Sequence, residues 1–525
     1  MYTKFFTYYN TVRYLKIKQL YYQFFYRIRR ILFRNLKYSS PYNCVNTLKW
    51  EDRIFNPQTY IDKSEFCFLN KPHQFHQAID WNLDQYGKLW AYNLNYFDFL
   101  NQENILLTEG FLLIKDYIKN DDSLRDGKEA YPISLRGINW IKFLAKNDIN
   151  DSDVNQILYT DYQILLNNIE YHLLGNHLLE NGFSLFFGAY YFKDEKLYQQ
   201  ASKILKEELK AQLLNDGAHF ELSPMYHQIL LKRLLDCIKL ATLNSWKSDG
   251  LVDFFKGRAV EMLSWLEAIT LKNGDVPMVN DATFGIAPTS EQLFKYAKNI
   301  GLTWEERYLK DSGYRIFKTG VYELFIDVGQ VGPDYQPGHA HSDTFNFELY
   351  VGGKPIIVDT GTSTYEKNQI RQKERATASH NTVKIGQYEQ TQVWGGFRVA
   401  KRARITYLKE SLNQVIATHD GYSNIGVLHT RKFQSKEKCI SIFDELSKTP
   451  QEDCIAFFHF HPNVNTFEVL EDSILVNEQI KIRFKGNILS IDEEFYQYAL
   501  GFNKTKKAMK IKVNFKTKLE TNIEL

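Results

Sequence analysis

Along the first 310 residues, apolar positions recur at three- and four-residue spacing; beyond them they alternate in short runs. The first pattern predicts amphipathic helices over 134–147, 154–174, 177–192, 195–214, 225–244, 253–271 and 290–300. Short polar or glycine-bearing links such as Asp216-Gly217 and Asn273-Gly274-Asp275 join them, as in antiparallel helical hairpins. The second pattern predicts strands, among them Val321–Val328, Thr344–Val351 and Cys454–His461, separated by Gly-, Asn- and Lys-rich turns. Helices followed by strands point to two packed domains of α+β type, a helical bundle or toroid over 46–310 and an antiparallel β-sandwich over 311–525. Residues 1–45 form a third, basic and aromatic helical segment.

Composition adds little until its distribution is considered. The chain is 44% apolar, 24% charged and 15% aromatic, with 34 Tyr and 37 Phe. A net charge of only +3 excludes a global field for nucleic acid. The positive charge is uneven: Lys4, Arg13, Lys16, Lys18, Arg27, Arg29, Arg30, Arg34 and Lys37 fall within the first 40 residues, with no acidic residue among them. Tyr, Phe, Leu and Ile between these cations suggest a basic amphipathic surface helix. It either touches a membrane surface peripherally or packs on the protein's own body. No unbroken apolar core followed by a small-residue cleavage site marks a secretory signal. No run of about 18 apolar residues marks a membrane span. The five cysteines are scattered without a CxxC pair, which indicates neither a zinc knuckle nor a disulfide framework. The expected location is therefore cytoplasmic or peripheral at the inner membrane, with the periplasm left open.

Candidate chemistry lies in both halves. In Gly338-His339-Ala340-His341-Ser342-Asp343, an extended backbone turns His339, His341 and Asp343 to one face. Asp359 ends the apolar run that begins at Pro355, and His380 opens the run Ser379-His380-Asn381-Thr382-Val383. Two imidazoles and a carboxylate on neighbouring strands match a zinc site; each also suits a hydrogen-bonded structural role. In the helical half, Asn176, His177 and Glu180 lie within one turn or so of an otherwise apolar helix. They line a cavity or form a buried network. Ser223 reads as an N-cap and Pro224 as the first helical residue, so Tyr226 lies in the first turn, beside His219, Glu221 and His227. The positive helix end favours a phenolate there, which suits a tyrosine that gives up and takes back a proton. Tyr96, Arg136 and Trp140, in Trp90–Tyr96 and Ser134–Trp140, suit either a groove for acidic sugars or a helix–helix core.

In the order and spacing of these motifs, residues 90–500 resemble the heparinase II/III superfamily of polysaccharide lyases. The resemblance implies an incomplete (α/α) toroid followed by an antiparallel β-sandwich. It also implies β-elimination at a uronic acid, in which a base removes the C5 proton and the bond from O4 to the next sugar breaks. Asn176 or His177 would neutralise the uronate carboxylate, Tyr226 would be the acid and a candidate base, and His339 the partner base. Glu180 falls where some members place a supporting carboxylate. His341, Asp359 and His380 match the positions of the family's metal ligands, where zinc has a largely structural role. Gln228, Arg375 and Asn381 join Tyr96, Arg136 and Trp140 as substrate-binding candidates. The basic aromatic N-terminus resembles members associated with bacterial surface polysaccharides, which points to a capsule or O-antigen glycan more than to heparin. Two other readings stand beside this one: a non-catalytic glycan-binding or assembly factor, and a hydrolase using Glu180 and Glu221.

Overall fold

The structure, a computed structural model, describes residues 2–32, 41–464 and 466–525. Arg34 and Lys37 of the basic segment lie outside the described residues. Helices α1 (Tyr2–Val12) and α2 (Ile17–Leu32) open the chain, followed by a small hairpin of β1 (Glu65–Phe68) and β2 (Lys71–Gln74). The helical domain then comprises α3 (Lys88–Tyr96), α4 (Leu107–Lys119), α5 (Ala130–Lys146), α6 (Ser152–Asn167), α7 (Gly175–Phe192), α8 (Glu195–Gln212), α9 (Pro224–Leu243), α10 (Leu251–Ile269) and α11 (Ser290–Asn299).

Helix α7 is the centre of this domain. It packs on α5, α8 and α9, and nearly every residue in it is buried. A helix apolar on all sides has no solvent face to offer, so its neighbours must surround it. Polar side chains on it need partners inside the protein. The arrangement is the incomplete (α/α) toroid expected. One predicted helix is shorter than its periodicity suggested: α6 stops at Asn167, not residue 174. At this end Asn167 and Asn168 turn their side-chain amides onto the carbonyls of Gln163 and Ile164. The released segment swings Glu170 inward, where its backbone N–H meets Asn181.

The second half is a β-sandwich. One sheet runs β3 (Tyr314–Lys318), β4 (Tyr322–Asp327), β5 (Phe347–Val351) and β6 (Lys354–Ile357) in sequence order. A six-residue helix α12 (Gln369–Glu374) follows, then β7 (Val383–Ile385) and a short hairpin of β8 (Val393–Trp394) and β9 (Arg398–Val399). The larger sheet holds β10 (Ile405–Ser411), β11 (Gln414–His419), β12 (His429–Lys436), β13 (Cys439–Leu446), β14 (Cys454–His459), β15 (Phe467–Val469), β16 (Ser473–Val476), β17 (Ile480–Gly501) and β18 (Lys504–Glu524). Its path is β10-β11-β12-β13-β18-β17-β16-β15, with β14 joining β18 to β7, all antiparallel. Apolar residues from the facing sheets, such as Leu324, Phe347, Phe433 and Ile511, fill the space between them.

Both N-terminal helices lie across the two domains. Thr7 and Thr11 of α1 accept hydrogen bonds from Gln392 and Trp394 of the sandwich domain. Gln19 and Tyr26 of α2 donate to the carbonyls of Leu173 and Ile169 in the helical domain.

Candidate active site

A cleft of about 1470 Å³ runs between the helical domain, the sandwich and the N-terminal helices. Asn176, His177, Glu180, Tyr226 and His339, all predicted from sequence, line it together. Their convergence follows from local structure. The start of α7 carries Asn176 and His177, with Gly175 before them at φ 59°. A Cβ at Gly175 would lie 2.4 Å from Glu221 Oε1, so only glycine lets the helix start this close to that carboxylate. The Asn176 backbone N–H and side-chain Nδ2 both donate to Glu221, each at 2.9 Å. The predicted cap of α9 is present: Ser223 Oγ accepts from Tyr226 N, with Pro224 at the first turn.

Tyr226 and His339 meet from opposite domains, their rings 4.1 Å apart. The Tyr226 hydroxyl lies 3.2 Å from that of Tyr365. Burial pushes the Tyr226 phenol well above its ordinary pKa, and the Tyr365 hydroxyl opposes this only in part. Desolvation therefore outweighs the positive helix end invoked from sequence, and the resting group is a protonated phenol. The His339 imidazole lies between two buried carboxylates, with Nδ1 2.8 Å from Asp281 and Nε2 3.3 Å from Glu221. The same Nε2 is 3.4 Å from the Asn176 amide.

Asp281 holds this side of the cleft. It receives both terminal nitrogens of Arg371, one at 2.6 Å, and His341 Nε2 at 2.9 Å. Burial alone would raise its pKa, but Arg371, His339 and His341 outweigh burial and hold the carboxyl well below its usual range. Asp281 is thus a fixed anion that orients His339 through Nδ1. On the helical side, His177 Nδ1 lies 3.1 Å from Glu170. Burial pulls the His177 pKa down, but Glu170 outweighs it and the net shift is upward. Its side chain retains 31% exposure, so a cation-prone imidazole faces the cleft. Glu180 contacts Arg233 Nε through both oxygens, at 3.2 and 3.4 Å. Burial raises its pKa in spite of that guanidinium.

Residues 68–301 match the family description Heparinase II/III N-terminus, and residues 302–524 match Heparinase II/III-like, C-terminal. The chain belongs to the heparinase II/III superfamily. The heparin-sulfate lyase of Pedobacter heparinus is 28% identical over 244 residues, covering 40% of this chain and 36% of that protein. The chain therefore spans little more than a third of that relative's length. The crystal structure of heparinase III superposes with a TM-score of 0.64 at 16% identity, over 95% of this chain and 89% of the other. The chondroitin AC lyase of Streptomyces coelicolor A3 superposes at 0.53 with 8% identity, over 84% and 74%. These structures share the fold.

Within this superfamily fold, several residues expected at the substrate lie elsewhere. Tyr96 does line the cleft. Arg136 is buried against Asp161 at 2.6 Å and the carbonyls of Asn95 and Gly127, so it is a structural ion pair with no free face for a sugar acid. Trp140 is buried edge-on against Phe97 and Tyr117 in the helical core. Gln228 is buried with its amide 3.4 Å from Ser290. Arg375 donates to the carbonyls of Ala340 and Gly396, which fixes the backbone between His339 and His341. Asn381 donates to Phe347 and Val358 and accepts from His459 N, tying three strands together. These five positions are corrected from substrate contacts to scaffold. Periodicity could not separate the two roles, because a buried polar residue and a cleft residue both interrupt an apolar face.

The proposed metal ligands are close but otherwise engaged. His380 Nδ1 lies 2.7 Å from Asp359 Oδ2, which also accepts from Asn346. His341 is turned to Asp281, and burial lowers its pKa to about 4, leaving it neutral. His341 Nδ1, His380 Nε2 and Asp343 Oδ2 are buried without a hydrogen-bond partner, and these atom types suit zinc. Among the described residues, however, no three His, Cys, Asp or Glu side chains converge as a ligand set.

The sequence reading missed Asp281, Arg371, Tyr365 and Glu170 as site residues. Asp281 lies in Val279-Asn280-Asp281-Ala282, where an adjacent polar pair between apolar residues was the available signal.

Proposed function

We propose that this heparinase II/III member is a polysaccharide lyase that cleaves a uronic-acid-containing glycan by β-elimination. The observation that carries the reading is the Tyr226–His339 pair, ring against ring across the domain interface and held by Asp281 and Arg371. His177 and the Asn176 amide offset the uronate carboxylate, which makes the C5 proton removable. His339 takes that proton. The electron pair first spreads onto the carboxylate and then forms the C4–C5 double bond. The C4–O4 bond breaks, and the Tyr226 phenol protonates the departing oxygen. A protonated resting Tyr226 suits the acid role and not the base role. Glu180 acts through Arg233, as a positioning carboxylate.

The relative named a heparin-sulfate lyase supports an acidic, glycosaminoglycan-like polymer as substrate. The finer reading is a bacterial surface or capsular glycan, supported by the resemblance of the basic aromatic N-terminus to members associated with such polysaccharides. Hydrolysis is disfavoured: both Glu221 oxygens accept from the backbone and side-chain amides of Asn176, and Glu180 faces Arg233. For zinc, the proposal is a structural ion held by His341, Asp359 and His380, supported by the unpartnered ring nitrogens of the two histidines. Elemental analysis finding no zinc, with folding indifferent to chelator, removes it.

The test is a panel of uronate polymers followed by ultraviolet absorbance of the conjugated C4–C5 double bond. Absorbance should rise with at least one polymer and fail to rise with Tyr226→Phe. Binding without any unsaturated product selects the non-catalytic glycan-binding reading, and products with water added select hydrolysis.

A further inference from the structure

Helix α2 is laid on the protein with its polarity reversed. A surface helix ordinarily turns its apolar stripe to the core and its polar residues to water. Here Gln19 is buried and donates to the carbonyls of Leu173 and Tyr335, while Tyr26 donates to Ile169. The outward residues are Ile17, Leu20, Tyr21, Phe24, Ile28 and Ile31. At ~100° per residue they form one stripe roughly 100° wide along the whole helix. Ile17 is 85% exposed, Phe24 68% and Ile31 75%, so these large side chains stand free of the body. On α1, Phe5 and Tyr9 are also exposed, opposite the Thr7 and Thr11 that face Gln392 and Trp394.

Exposed cations flank this stripe on one side, where the helical angles place Arg27 at its edge and Arg30 beyond it. On the other side Lys18 lies over the Tyr171 ring and Arg29 donates to Asn167 and Asn168, so both hold the helix on the body. No acidic residue precedes Glu51, so nothing in the segment neutralises them. No described helix is long and apolar enough to cross a membrane, and the 16 residues of α2 rise only ~24 Å. A glycan offers charge but no apolar layer to receive phenylalanine and isoleucine. A symmetric pairing of two such stripes would bring cationic borders together.

We propose that α1 and α2 form a docking surface for an anionic lipid bilayer, with α2 lying in the interface plane. The apolar stripe enters the acyl boundary and the exposed Arg27 and Arg30 side chains meet the headgroups. The opposite edge of the same helices, through Thr11, Gln19 and Gln23, walls the cleft. Docking would therefore hold the cleft mouth beside the membrane. The inference is independent of the elimination chemistry.

The experiment is vesicle flotation of the full chain, with phosphatidylcholine alone or mixed with phosphatidylglycerol. The mixed vesicles should bind about tenfold more tightly. Ile17→Ser, Phe24→Ser, Ile28→Ser and Ile31→Ser combined should lower that binding by about tenfold or more, because the apolar area is lost. The thermal transition should not move, since these side chains touch no core. A second variant, Arg27→Glu with Arg30→Glu, should keep the stripe and abolish the phosphatidylglycerol preference. It tests the proposal even if the fourfold variant misfolds. No binding to either vesicle overturns the inference, as does undiminished binding by the folded serine variant or an undiminished lipid preference in the charge variant. So does a dimer that replaces vesicle binding and is dissolved by the serine changes.

Discussion

The cleft wall and the N-terminal helices depart from ordinary burial in opposite senses. At the cleft, charged groups are buried: Asp281 is fully inaccessible and bound by Arg371, His339 and His341. On α2, large apolar groups are exposed and a polar glutamine is buried. Buried charge requires several fixed partners, and those partners also orient a catalytic imidazole. The exposed apolar area has no partner among the described residues, which points to one outside them. The first region is built for internal definition, the second for external contact.

The strongest way to sharpen this contrast is Tyr226→Phe. It removes the proton donor and leaves the ring on His339, so turnover of a uronan should fall by ~10²–10⁴-fold with no change in the unfolding midpoint. Next is Asp281→Asn, which keeps the shape and removes the anion that Arg371 requires. Urea unfolding should show a loss of about 3–5 kcal/mol, because a buried guanidinium is left without its counter-charge. A loss below about 1 kcal/mol would break the claim that this charge is structurally held.

Paired truncations compare the two regions directly. Leu178→Ala, at a fully buried position of α7, should cost about 2–5 kcal/mol. Ile28→Ala on α2 should change stability by no more than about 0.5 kcal/mol. Equal costs would mean that the stripe packs on the body after all.

A smaller effect than those at Tyr226, Asp281 and Leu178 concerns His177 and Glu170. Burial would raise the Glu170 pKa, but His177 outweighs it and the net shift is downward. The Glu170 contribution is therefore present above the unfolded carboxylate value of ~4.3 and is lost as pH falls through the lower folded value. The His177 pKa is raised, so its contribution is complete below ~6.5 and is lost as pH rises through the higher folded value. The pair should stabilise most between those limits, by on the order of 1 kcal/mol given the exposure of His177. His177→Gln should flatten that window in unfolding curves taken across pH.

Much of the architecture was legible from periodicity. The switch near residue 310 separates α11, ending at Asn299, from β3, starting at Tyr314. The Ser223-Pro224 cap was also legible, because capping depends on residues within one turn. The end of α6 was not: apolar spacing continues past residue 167, and the segment that follows is held by a tertiary contact of the Glu170 N–H with Asn181. Arg136 and Trp140 looked like sugar contacts because residue type alone does not reveal Asp161 or Phe97 beside them.

By itself, the sequence determined the two domain types, the chemical identities of Tyr226, His339, Asn176 and His177, and the basic amphipathic character of the N-terminal segment. These follow from local spacing and side-chain chemistry. Tertiary structure alone decided that His339 rests on Asp281, 58 residues away, and that Arg371, 90 residues from Asp281, holds the same carboxylate. It alone decided that the stripe of α2 points outward. Spacing along a helix defines which residues share a face, but only contacts between distant segments determine which way that face turns.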